Sequence, residues 1–245
     1  MKLTKDQFIQ KVIDSAKSID VILEIEKAEK LYEYKEMLIE WNSKINLTAI
    51  TDDEEIIEKH IIDSLELTKY LKQGKTLIDV GTGAGLPGVI LAIFFNGEIK
   101  ITLFDALNKR IIFLQEVINR LKLKNTEAIH GRAEETSRDV TYREQYDYVV
   151  SRAVAQLNVL LELTAPFVKV RGNCIYMKAD KAQEEILEAS KAINILNVKH
   201  ISTNGYVLNT NKEENITRNI ILFEKIKDIP EKYPRMFSKI KKSPL

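Results

Sequence analysis

The chain has 245 residues, 44% of them apolar, with 37 basic and 36 acidic side chains and a formal net charge of +1. That length suits one large domain, or one domain with a helical extension, and a neutral balance excludes a globally basic nucleic-acid binder. The longest apolar run, residues 89–95, is far short of the roughly 20 residues of a membrane span. No signal-peptide apolar region opens the chain, and the sole cysteine, Cys174, permits no intrachain disulfide. A cytoplasmic location is expected.

Residues 1–73 read as a helical extension. Apolar side chains recur at helical spacing over 3–17, 21–42 and 54–71, and Asp52 and Asp53 mark the start of the third helix. No glycine precedes Gly74. From Lys75 the texture changes. Strands are predicted at 76–80, 100–105, 127–130, 146–151 and 173–178, followed by an antiparallel pair at 197–206 and 218–225. Helices fill the gaps at 86–95, 109–123, 157–168 and 181–195. Such alternation predicts a mostly parallel sheet with helices on both faces over 74–231. A basic tail, 232–245, carries Lys232, Arg235, Lys239, Lys241 and Lys242 with no acid. Charge alone reads it as a solvated, frayed terminus, with local phosphate contact as the alternative.

The most informative stretch is Leu77-Ile78-Asp79-Val80-Gly81-Thr82-Gly83-Ala84-Gly85. A strand leads into three alternating glycines and then an apolar helix. Glycine lets backbone approach a ligand where a β-carbon would collide. The helix start aims its N–H groups and positive dipole end at that ligand, and Pro87 suits a first helical turn. Gly83-x-Gly85-x-x-Gly88 also satisfies a dinucleotide fingerprint. There, however, the first glycine directly follows the strand. Here that residue is Gly81, and the third glycine would fall on Leu86, which opposes a dehydrogenase. Asp79 followed by alternating glycines is the pattern of nucleoside cofactors without a pyrophosphate, above all S-adenosylmethionine. Asp105, ending the next strand, supplies an acceptor for the two ribose hydroxyls. A purely structural tight turn is the alternative. Five alternating strands and a closing hairpin match an α/β fold: the seven-stranded, Rossmann-like class I S-adenosylmethionine-dependent methyltransferase sheet.

Ligands in such a sheet bind at the C-terminal strand ends, near the point where strand order switches. Gly131-Arg132-Ala133-Glu134-Glu135 follows the third strand and is placed to read adenine. Ala133 allows close backbone approach, and Glu134 holds a ribose or adenine group; a helix start with acids in its first turn is the alternative. Ser151-Arg152-Ala153-Val154 follows the fourth strand and faces the reactive methyl group. The Asn/Asp-Pro-Pro-aromatic motif of amino-group methyltransferases is absent there. Base C5 methylation needs a cysteine, and Cys174 lies in an apolar strand, as core. The nucleophile should therefore already own a lone pair, and guanine N7 fits. Catalysis then reduces to alignment and electrostatic help. Arg152 is the candidate catalytic residue, gripping the cofactor carboxylate or an RNA phosphate, with a structural ion pair as the alternative. His60, His130 and His200 share no metal-ligand spacing, so no metal site is expected. Lys109 and Arg110 form either a basic lip to the pocket or ordinary solvated charge.

Together these motifs resemble the bacterial 16S ribosomal-RNA guanine-N7 methyltransferases, the glucose-inhibited division protein B family. The likeness is carried by Trp41-Asn42, Asn46-Leu47-Thr48-Ala49-Ile50, His60 with Asp63-Ser64-Leu65, and the turn ending Leu86-Pro87-Gly88. It continues through Asp105 with Lys109-Arg110 and Phe113-Leu114, the Gly131 and Ser151 segments, Tyr233-Pro234-Arg235 and Pro244-Leu245. The resemblance implies methyl transfer from S-adenosylmethionine to N7 of one guanine in the decoding-region loop of 16S rRNA, free or in a 30S particle. It implies cofactor contacts from Gly81, Leu86, Ala133, Glu134 and Arg152, beside Gly83 and Asp105 from the glycine pattern. RNA contact is expected from Arg235, Lys239, Lys241 and Lys242, and a monomer is expected. The chain departs from the family pattern at Ala179, where glycine is common, and at 236–240, where Gly and Pro are common. Residues 41–50 are either a core-capping turn or part of the RNA surface. A small-molecule or protein methyltransferase, and a non-catalytic cofactor-gated RNA binder, are the competing readings.

Overall fold

A computed structural model describes residues 2–152, 155–209 and 216–245. Ala153 and Val154 of the motif after the fourth strand lie outside the described residues. Helix α1 (Lys5–Ser18) opens with a capping box between Thr4 and Gln7 and buries Phe8, Val12 and Ala16 at four-residue spacing. Helix α2 (Ile25–Ile45) buries Leu31, Tyr34 and Leu38 and ends at Asn46, which takes a left-handed conformation.

The helix expected over 54–71 is not one helix. It divides into α3 (Asp53–Ile56), a π turn (Ile57–Ile62), α4 (Asp63–Leu65) and a 3-10 turn (Glu66–Tyr70). A π turn takes an extra residue, so it shifts the face that follows. His60, Asp63 and Ser64 are all buried here. Ser64 donates its hydroxyl to the His60 carbonyl at 2.6 Å.

Then come β1 (Thr76–Val80), α5 (Gly88–Phe95), β2 (Lys100–Asp105), α6 (Asn108–Leu121), β3 (Thr126–His130), α7 (Ala133–Thr136) and β4 (Tyr146–Arg152). They are followed by α8 (Leu157–Thr164), β5 (Val168–Lys178), α9 (Ala182–Glu188), α10 (Ser190–Ile195), β6 (Val198–Leu208), β7 (Ile216–Lys225) and α11 (Phe237–Lys242). The helix expected to reach residue 168 stops at Thr164, because Pro166 has no N–H to continue it, and a 3-10 turn over Ala165–Phe167 leads into β5. The helix expected over 181–195 is broken between α9 and α10 at Ala189.

The sheet has seven strands in the order β3-β2-β1-β4-β5-β7-β6. β3, β2, β1, β4 and β5 run parallel, and β7 pairs antiparallel with both β5 and β6. The order switches between β1 and β4, which opens a crevice at their C-terminal ends. Side chains alternate across the sheet. Leu77, Tyr148 and Val150 enter the core shared with α1, α2, α5 and α6, whereas Ile78, Val80 and Val149 enter the core beneath α8 and α10. Cys174 is fully buried in the second core, and burial pushes its thiol up to about 12. No described helix is long and apolar enough to cross a membrane.

The tail is not frayed. It folds back on the second core through Tyr233 and Leu245, and it buries Ile240 as well. Apolar anchoring outweighs the solvation of its lysines, which charge counting alone does not register.

Candidate cofactor and substrate site

The glycine turn is organised around Asp79. Its carboxylate is fully buried, and Oδ2 accepts from the Thr82 hydroxyl at 2.6 Å and from the Gly88 N–H at 2.8 Å. Among the described residues Oδ1 has no partner. Burial raises Asp79 to about 6, against the opposing pull of those two hydrogen bonds. Gly81, Gly83 and Gly85 have φ of 75°, 61° and 95°, the left-handed region that favours glycine. Their duties differ. A β-carbon on Gly85 would meet Val89 at 2.4 Å, and one on Gly88 would meet Leu103 at 2.3 Å, so these two serve packing. A β-carbon on Gly83 would find only the Gly81 carbonyl, at 3.9 Å. Gly83 faces open space. The Tyr34 hydroxyl, from α2, donates to the Ala84 carbonyl at 2.7 Å and braces the turn from behind.

The open space is a cleft of about 490 Å³ whose walls include Gly81, Gly83, Leu86, Asp105 and Arg152. Leu47, Thr48 and His60 close another side. Ala133 and Glu134 line a smaller cavity of about 170 Å³, which shares Gly81 and Ala106 with the cleft. A third cavity, of about 550 Å³, meets the cleft at His60 and Arg152. Lys59, Asp63, Gln156, Lys178, Glu185 and Arg218 are among its walls. Three spaces thus run side by side across the strand ends.

Asp105 is already engaged. Its Oδ2 accepts from the Gly83 N–H at 2.9 Å, its Oδ1 from the Leu107 N–H at 2.9 Å, and Arg110 reaches it at 3.1 Å. A ribose hydroxyl arriving there must share these oxygens or displace Arg110. Lys109 is exposed beside it.

Arg152 donates through Nη1 to the Lys59 carbonyl at 2.8 Å and to Asp63 Oδ2 at 3.0 Å. The Tyr206 hydroxyl takes the other Asp63 oxygen at 2.6 Å. Arg152 therefore makes an ion pair and also walls both larger spaces. His60 stands next to it, with Nε2 3.0 Å from the Thr48 hydroxyl and Nδ1 without a partner among the described residues. Burial, and then the Arg152 charge, lower His60 to about 4, so its ring is neutral at pH 7.

Of residues 41–50, whose role the sequence left open between two readings, Leu47 and Thr48 line the cleft, while Trp41 packs on Phe113. The Asn42 side chain accepts from the Leu47 and Thr48 N–H groups at 2.7 and 2.8 Å and holds the loop closed. Sequence reasoning missed Tyr34, His60 and Thr48 as site residues. The signal for Thr48 and His60 was their place in the motifs that carry the family resemblance; for Tyr34 it was only a polar side chain set among apolar, helix-spaced neighbours.

The residues expected on RNA separate. Arg235 donates its backbone N–H, Nε and Nη2 to the fully buried Glu162 carboxylate at 2.9, 2.8 and 2.7 Å. Its guanidinium is committed to holding the tail. Lys239, Lys241 and Lys242 are exposed in the last turn of α11.

A parallel sheet closed by an antiparallel pair, a glycine turn after β1 and an acid ending β2 define the S-adenosylmethionine-dependent methyltransferase class. Solved members share the fold. TYW2 of M. jannaschii in complex with AdoMet superposes with a TM-score of 0.53 at 20% identity, covering 75% of this chain and 80% of that one. A SAM-dependent methyltransferase from Aquifex aeolicus superposes at 0.50 and 19% identity, covering 69% and 92%. The chain belongs to the rRNA small subunit methyltransferase G family, whose sequence pattern matches residues 27–217. Ribosomal RNA small subunit methyltransferase G of Acetivibrio thermocellus is 47% identical over 235 residues, 96% of this chain and 95% of its own. That of Alkaliphilus metalliredigens is 44% identical over 234 residues, 95% and 96%. The chain is thus an S-adenosylmethionine-dependent methyltransferase. Its own residues fit that donor, because Gly83 leaves open the space a β-carbon would fill and the Asp105 carboxylate lines the same cleft.

Proposed function

We propose that this enzyme methylates N7 of a guanine in the decoding-region loop of 16S rRNA. One observation carries the reading. The cleft beside the glycine turn opens, at His60 and Arg152, into a cavity where Lys59, Arg152, Lys178 and Arg218 stand against Asp63 and Glu185. Lys59, Arg152 and Lys178 are held there by ion pairs with Glu55, Asp63 and Glu185, and such preset basic side chains, with Arg218, suit a nucleotide with its phosphates.

When bound, S-adenosylmethionine supplies a methyl group on a sulfonium, which the N7 lone pair takes as the C–S bond breaks and its electrons return to sulfur. Gly81, Gly83 and Leu86 would hold the methionine portion, Asp105 the ribose, and Ala133 and Glu134 the adenine. N7 carries no proton, so the site needs no base. A neutral His60 and a buried Cys174 are consistent with that requirement. Arg152, between donor cleft and nucleotide cavity, aligns the two. Exposed Lys239, Lys241 and Lys242 would extend the RNA contact. Action on ribosomal RNA implies the cytoplasm, and we read the enzyme as a monomer without a metal.

The test is transfer of labelled methyl groups to unmethylated 30S particles, to free 16S rRNA and to ribosomal protein. Label recovered as N7-methylguanine from the RNA is expected. Label on protein alone, or donor binding without transfer to any of the three, overturns the reading.

A further inference from the structure

We propose that Phe237, carried by the C-terminal tail, is a cofactor-binding residue that covers the adenine of the methyl donor. The inference rests on the proposed function, which puts the adenine in the small cavity beside Ala133 and Glu134. That cavity is walled by Val80, Phe104, Leu160 and Leu163, with the Glu134 side chain 12% exposed at its edge. Mostly apolar walls, with the Glu134 carboxylate, Arg132 and Thr164 among them, match a purine, which offers two π faces and an amino group. Phe237 completes the wall from a segment more than seventy residues downstream of Leu163 in the sequence.

The ring is held in place. Two residues before it, Arg235 is fixed on the buried Glu162 carboxylate. Three residues after it, Ile240 is fully buried. Arg143 donates to the Ile229 and Tyr233 carbonyls at 2.9 and 3.0 Å, and Arg138 donates to the carbonyls of Lys232 and Pro234. Yet Phe237 itself is 42% exposed. An aromatic ring held at a cavity mouth with that much surface still open has area left for a ligand. Because both flanks are fixed, ordering the ring on binding costs little entropy. The tail thus does two things: its lysines face solvent, and its phenylalanine faces the donor. Phe237 falls in the stretch 236–240, where the chain departs from the family pattern.

The test is calorimetry on the full chain with S-adenosylmethionine and with adenosine, for wild type and for Phe237→Ala, Phe237→Tyr and Met236→Ala. Met236 is 70% exposed and lies outside the cavity wall, so it serves as the control. Phe237→Ala is expected to weaken both ligands by roughly tenfold or more, the scale of a lost aromatic–base stack. An equal factor for adenosine places the loss at the purine. Phe237→Tyr is expected within about twofold of wild type, since the π face is kept. Met236→Ala should match wild type, and all four proteins should melt together without ligand. Unchanged affinity in Phe237→Ala, or an equal loss in Phe237→Tyr and Phe237→Ala, overturns the inference and leaves the proposed function standing. If wild type binds neither ligand, the proposed function falls and takes this inference with it.

Discussion

Arg152 and Asp63 are 89 residues apart in sequence and 3.0 Å apart in space. Their ion pair ties the end of β4 to α4, which follows the π turn, and Tyr206 secures the carboxylate from β6. Asp63 is 3% exposed, so its oxygens are satisfied by these partners rather than by water.

Asp63→Ala should therefore cost about 3 kcal/mol of stability, because a mostly buried guanidinium loses its counter-charge. Arg152→Ala should lower turnover far more than its loss of folded protein explains, and lysine should rescue it poorly for want of the planar fork. Urea unfolding and the rate of N7-methylguanine formation separate the two effects. Wild-type turnover in Arg152→Ala would reduce the arginine to an ion-pair partner.

Gly83→Val should abolish most donor binding while the sheet stays folded. The side chain enters the cleft, and φ of 61° adds a strain of roughly 1–2 kcal/mol for a residue with a β-carbon. Calorimetry reads the affinity and circular dichroism the fold. Wild-type affinity would remove the glycine turn from the site.

Tyr34→Phe should cost about 1–2 kcal/mol, since it leaves the Ala84 carbonyl without its donor. Because that carbonyl belongs to the turn, donor affinity should fall as well. A stability loss with unchanged affinity would show that the brace serves only the core.

The acid limb of stability is expected to contain two opposing parts. Asp79 sits at about 6 in the fold and near 3.8 when unfolded, so the folded state binds its proton more tightly. Its ionisation costs nothing below about pH 4, and the cost grows as pH rises to about 6 and then stays level, at about 3 kcal/mol. His60 runs the other way. At about 4 in the fold against 6.5 unfolded, its contribution is complete above pH 6.5 and is lost as pH falls toward 4. Asp79→Asn should raise stability at pH 7 and steepen the loss on acidification. Urea midpoints at pH 4.5, 5.5 and 7 check this, and parallel curves for variant and wild type would refute it.

Replacing Lys239, Lys241 and Lys242 together by alanine should weaken RNA binding mainly at low salt and flatten the salt dependence by about one unit of slope per lost phosphate contact. Donor affinity should hold, because the triple variant keeps Ile240 and Phe237. Filter binding across a salt series is the measurement. An unchanged slope would shift the search for the RNA face to Lys109, Arg110 and the N-terminal helices.

β1 and β2 were legible residue for residue, since each is a short apolar run whose ends are set by local chemistry: the glycine turn after Val80 and the acid at Asp105. Helix periodicity also placed α1, α2 and α6, to within a few residues at their ends. The walls of the cleft and of the small cavity beside it were legible where they follow strand ends, at Gly81, Gly83, Asp105, Glu134 and Arg152. They were illegible where partners come from afar. Thr48 reaches His60, Tyr34 reaches Ala84, and Phe237 reaches the cavity beside Ala133, each pairing residues that no window of sequence joins.

By itself, then, the sequence determined the sheet, the glycine turn and the cleft wall that this turn forms, because apolar period and turn chemistry act over a few neighbouring residues. Only the tertiary structure decided that residues 57–62 widen into a π turn, that Arg152 meets Asp63 and that the basic tail is anchored. Those outcomes depend on buried polar groups finding counter-charges and donors across the fold, and the cost of leaving such groups unpaired is set by burial, which exists only once the chain has folded.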